Sequence, residues 1–200
     1  MMDHPTAEKQ VTLYQLASEE LIPVLERFGF ETTSVESHCI RFESDRVHLT
    51  LSYGLKFPEV RLGVGLLNEV FNGRERPFFL DEIVRLADPT IDSRNTLCQA
   101  STLDRLRNAL SRISTMLVEY GSDALLGRYG KFKELASLRD RECAEYKSEM
   151  ELRAARPRAD AAWKEKDYGK YVTIMQPFFD YLTASETKKL VLAKKRSPGE

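Results

Sequence analysis

His38 to Tyr53 reads HCIRFESDRVHLTLSY, and its apolar residues recur at every second position. A period of two is that of a half-buried strand, and the polar Ser44-Asp45 at the centre reads as a tight turn between two strands. Folding there sets Phe42 opposite Val47, Ile40 opposite Leu49 and His38 opposite Leu51 on one apolar face. The other face then carries Glu43 opposite Arg46, Arg41 opposite His48 and Cys39 opposite Thr50, with opposite charges in its first pair.

Working outward, YGLKFP turns the chain, and EVRLGVGL alternates again, with Val60, Leu62, Val64 and Leu66 on the inner face. A short leading strand near Thr32 to Val35 completes an antiparallel meander of three to four strands. Gly63 and Gly65 fall inside the strand, on its outer face beside Arg61. A dinucleotide-binding loop needs its glycines at a strand-to-helix turn, so these two read instead as room left for something that crosses the sheet. Asn72-Gly73 signals a further turn within FNGRERP, and FFLDEIVRLAD reads as a short helix ended by Asp88-Pro89.

Upstream, apolar residues from Val11 to Phe28 recur at spacings of three and four, as on one buried stripe of a helix. Pro23 lies inside that run, which predicts a kink or a break after Leu21, and Gly29 ends it. Downstream, PTIDSRNTLCQAS has no period and reads as a linker, and everything after Ser101 reads helical. Ser101 with Asp104 predicts a capped start, and Leu103, Leu106, Leu110, Ile113 and Leu117 form an apolar seam that runs to Gly127. A more polar helix spans 131–155, with Phe132, Leu135, Cys143, Tyr146 and Met150 on its drier side, and Pro157 suits the first turn of the next. Thr183 with Glu186 predicts a capping box for a last helix ending in KKR. The expected class is α+β: an amino-terminal helix on a small antiparallel sheet (1–90), a linker (91–101) and a helical region (102–200).

Thirty Lys plus Arg against 31 Asp plus Glu give a formal charge of -1, which excludes a global attraction to nucleic acid or anionic membrane. No run approaches the roughly 20 apolar residues that span a bilayer, and MMDHPTAEKQ lacks a basic stretch followed by an apolar core, so a cytoplasmic location is expected. Three widely spaced cysteines fit neither a disulfide framework nor a zinc knuckle. Cys39 and His48 stand as diagonal neighbours on the outer face at roughly 7 Å, too far for a nucleophile pair without a shift. The terminal Lys188, Lys189, Lys194, Lys195 and Arg196 suit the negative end of a helix dipole.

The carboxyl-terminal stretch AAWKEKDYGKYVTIMQPFFDYLTASETKKLVLAKK resembles the tail of uncharacterised bacterial proteins of the immunity-protein-like kind. Its EKDYGKYV is similar to the inter-helix turn of a tetratricopeptide hairpin. The resemblance implies a binding protein with no catalytic residues. The expectation is therefore a non-enzymatic, cytoplasmic protein that binds another protein, with a homodimer through the helical region as a second mode and with no cofactor, metal or membrane. The candidate partner surface is Arg41, His48, Arg61, Gly63, Gly65, Arg74 and Arg76. The alternative expectation is a small-molecule or nucleotide-binding regulator with its site where sheet and helices join.

Overall fold

A computed structural model describes residues 6–54, 56–71, 74–91, 96 and 98–197. It divides into two compact units, Met1–Leu138 and Arg139–Glu200.

In the first unit, α1 (Thr6–Glu20) and α2 (Ile22–Glu26) are separated at Leu21, and Pro23 occupies the first turn of α2. The break follows from the missing proline N–H. At the break the Val24 N–H bonds the Leu21 carbonyl, and the carbonyl of Glu20 accepts instead from the hydroxyl of Ser114. Gly29, at φ +77°, turns the chain into the sheet.

The sheet is antiparallel, in the order β1 (Glu31–Glu36), β2 (Cys39–Glu43), β3 (Val47–Tyr53), β4 (Glu59–Leu66). Two short strands, β7 (Phe78–Phe79) and β8 (Cys98–Gln99), add to β4, so the sheet has six strands where the alternation predicts three to four. Two-residue strands are too short to show a period. A separate pair, β5 (Val70–Phe71) and β6 (Arg74–Glu75), brackets the expected Asn72-Gly73 turn, which lies outside the described residues.

The β2–β3 register differs from the expectation by two residues. Phe42 faces Leu49, Ile40 faces Leu51 and Glu43 faces His48. Ser44 closes the turn by pairing with Val47, N–H to O at 2.9 Å, so Asp45-Arg46 is the two-residue turn. A slip of two leaves every side chain on its face, because the strand period is also two. Ile40, Phe42, Val47, Leu49, Leu51, Val60, Leu62 and Val64 are accordingly all 3% exposed or less.

After β7, α3 (Leu80–Ala87) begins with the Glu82 carboxylate accepting from the Phe79 N–H at 2.7 Å. Phe78 and Phe79, expected in this helix, are strand residues instead. α4 (Leu103–Tyr120) starts on Thr102, whose side chain accepts from the Arg105 N–H, one residue later than expected. It stops at Gly121, before the short α5 (Ser122–Leu125). Leu110 and Leu117 are fully buried in one core with α1, α2, α3 and the inner sheet face, whereas Leu103 is exposed. That shared core explains why the chain does not divide at 91–101: α4 packs with the sheet. Residues 92–95 and 97 of the expected linker lie outside the described residues.

A single helix, α6 (Tyr129–Lys164), holds the unit boundary and contains Pro157. The expectation of a new helix at Pro157 is corrected: the proline and Arg153 both lie on an exposed face, where water can serve the released carbonyl. Phe132 and Leu135 are buried as expected, but Cys143, Tyr146 and Met150 are exposed.

In the second unit, Leu152, Ala159 and Ala162 of α6 pack with α7 (Tyr168–Met175) and α8 (Ala184–Arg196), which a 3-10 turn at Gln176–Tyr181 connects. Tyr171 is the largest fully buried side chain there, edge-on to Trp163 at 5.2 Å between ring centroids. Thr183 and Glu186 form the expected capping box of α8. Glu186 also takes a forked pair from Arg156, at 2.7 and 3.3 Å. This pairing, above all, pulls its carboxyl down to about 2.

Candidate functional site

The register of β4 creates the site. On its outer edge β7 pairs with Gly63 and Val64, and β8 pairs with Glu59 and Val60, so Arg61 and Leu62 stand between the two short strands. A cleft of about 360 Å³ opens at this interval. That volume falls within the range of small-molecule sites.

Inner-face residues Val60 and Leu62 of β4, Leu80 of α3, Cys98 of β8 and Ile113 of α4 line its apolar part. Burial pushes the Cys98 thiol up, with Arg112 working against it, which favours the neutral thiol as part of the cleft wall. Outer-face residues Glu59 and Arg61, together with Phe79, Asp81 and Arg85, line its polar part. Arg61 Nη2 lies 3.1 Å from Glu59 Oε2, and Arg85 Nη1 lies 2.6 Å from Asp81 Oδ2. The Arg61 guanidinium also sits 6.0 Å from the centroid of the Phe79 ring. Glu59, by hydrogen bond and then by charge, raises the Arg61 pKa, and Asp81 adds to it. Negative and positive groups therefore alternate along the cleft as Glu59, Arg61, Asp81 and Arg85.

Of the expected partner surface, the structure brings only Arg61 to this site. His48 is 1% exposed rather than at the surface, and Gly63 and Gly65 are buried. The reason lies in cross-strand fit. Gly65 stands opposite His48, and a methyl group built on Gly65 would overlap the imidazole ring. Gly63 receives the Pro77 ring, whose Cβ would lie 3.0 Å from an added methyl. The glycines therefore make room for side chains of the same chain. Arg41 is half-buried and bonds Glu43 at 2.6 Å, and Arg76 is exposed. The Arg74 side chain lies outside the described residues. Cys39 faces Ser52 and His48 faces Glu43, so the expected diagonal proximity of Cys39 and His48 is absent.

Glu59, Phe79, Asp81 and Arg85 are the site residues that the sequence reading missed. Asp81 and Arg85 are a helical i, i+4 pair and Glu59 and Arg61 a same-face strand pair, both visible as spacings. What unites them is the pairing of Gly63 with Phe79.

Among the described residues, no group of three or more His, Cys, Asp or Glu is placed to hold a metal ion, and no helix is long and apolar enough to cross a membrane. No protein-family profile, characterised protein or solved structure matches the chain.

Proposed function

We propose that this chain is a non-enzymatic binding protein that takes a small molecule in the cleft between β7 and β8. The observation that supports this reading is the interrupted edge of β4, where an apolar wall and four alternating charges face the same 360 Å³ space. Convergent polar groups over an apolar floor fix a ligand's orientation while its burial supplies affinity. Docking of another protein, the mode implied by the carboxyl-terminal resemblance, was expected through an exposed outer face. With His48, Gly63 and Gly65 buried, that surface is not assembled as expected. The geometry thus favours the sheet–helix junction as the working site. A thermal-shift screen of a metabolite library against the wild type and Arg85→Met tests the proposal. Compounds that raise the Tm of the wild type but not of the variant support it, and a library that moves neither protein, or both equally, refutes it.

A further inference from the structure

The charge order in the cleft restricts its ligand. Glu59, Arg61, Asp81 and Arg85 supply two positive and two negative groups, so the lining has no net charge. Arg61 is already paired with Glu59, and Arg85 with Asp81. A purely anionic ligand that drew Arg61 or Arg85 to itself would loosen an existing pair and leave a carboxylate beside an apolar wall without its partner. A purely cationic ligand would do the same to an arginine. The Arg85 side chain is 24% exposed and that of Asp81 37%, so either charge left without its partner would be only partly compensated by water. A ligand that carries both signs avoids the cost by inserting into one pair, since its anion replaces the carboxylate at the arginine while its cation replaces that arginine at the same carboxylate. Below the charges, Leu62, Leu80, Cys98 and Ile113 are each 5% exposed or less, and the Cys98 thiol and the Thr96 hydroxyl are the hydrogen-bonding side-chain groups beside them.

We propose that the cleft binds a free α-amino acid with an apolar side chain that inserts into the Arg85–Asp81 pair, its carboxylate on Arg85, its ammonium on Asp81 and its side chain over Leu62 and Ile113. Phe79, 6.0 Å from the Arg61 guanidinium, lines the same cleft. This inference rests on the reading of the cleft as a small-molecule site, and it adds the ligand class.

Calorimetric titration of the full chain with L-leucine, L-methionine and L-phenylalanine tests it, alongside N-acetyl-L-leucine, which lacks the cation, and L-leucinamide, which lacks the anion. At least one of the three amino acids binds, and each capped analogue of leucine binds at least about tenfold more weakly, as loss of one charge-assisted pair requires. In Asp81→Asn, shown to be folded by its thermal unfolding, the preference for leucine over N-acetyl-leucine collapses, whereas a merely structural role of Asp81 would leave that preference intact. Equal binding of leucine and either capped analogue overturns the proposal, as does the absence of binding by all three amino acids. If the amino acids fail while another library compound raises the Tm of the wild type and not of Arg85→Met, the ligand class falls and the binding function stands. If no compound does so, both fall.

Discussion

Substituting Gly65 by alanine adds one methyl group at the tightest point of the outer sheet face. Built on the present backbone, that methyl lies 2.9 Å from His48 Cε1 and 3.2 Å from Cδ2, with Nε2 nearer still. Carbon contacts are comfortable near 3.5–4.0 Å, so the ring must move by about 1 Å. His48 is 1% exposed and has little room to do so. Overpacking of this kind costs about 1–3 kcal/mol, against about 0.5–1 kcal/mol regained by removing a glycine from a strand. The net expectation is a loss of about 1–2 kcal/mol. In a His48→Ala background the obstacle is gone, and the same substitution should be neutral or slightly stabilising, giving a coupling of at least about 1 kcal/mol. Urea unfolding of the four proteins, followed by far-ultraviolet circular dichroism, measures the cycle. An additive cycle, or a neutral Gly65→Ala in the wild-type background, would refute the packing of His48 over Gly65.

Further expectations concern both units. Ser114→Ala leaves the carbonyl of Glu20 at the α1–α2 break without its hydroxyl partner and should cost about 1–3 kcal/mol in urea unfolding. Leu49→Ala empties a fully buried site and should cost about 2–5 kcal/mol in the same assay. The Glu186 carboxyl is held at about 2, below its ordinary 4.5, so its contribution is complete above pH 4.5 and is lost as pH falls toward 2. Trp163, the single tryptophan, lies in the second unit, and its fluorescence should show Glu186→Gln destabilised by roughly 1 kcal/mol at pH 6, since the exposed side of the pair is screened by water. That gap should narrow as pH falls below 4.5 and close only below about pH 2. Toward a thiol-specific reagent, exposed Cys143 should react first and buried Cys98 only on unfolding, as mass spectrometry of the labelled peptides will read.

The parts of this fold that depend on local periodicity were legible in the sequence. The inner-face residues of β2, β3 and β4, the break at Leu21 and the capping box at Thr183 each follow from a spacing or a single residue's chemistry. The hairpin register was not legible, because pairings that differ by two residues bury the same side chains and differ only in the turn. His48 was misplaced for a related reason. Its face follows from alternation, but its burial follows from the glycine that the neighbouring strand places opposite. The cleft lay furthest from view. Arg61 stood out as an outer-face charge, yet its association with Phe79, Asp81 and Arg85 depends on two-residue strands that leave no pattern. Pro157 shows the reverse error, where a strong local signal was overridden because the exposed side of α6 tolerates a released carbonyl.

The most direct test of the cleft as the working site is an amide-resolved nuclear magnetic resonance titration of the full chain with L-leucine and with the compound that most raises the wild-type Tm. The account predicts shift changes centred on Glu59 to Leu62, Phe79 to Arg85, Cys98 and Ile113, all of which fade in Arg85→Met. Changes centred instead on the groove lined by Leu13, Tyr53, Leu103 and Leu106, or no saturable change with either compound, would contradict it.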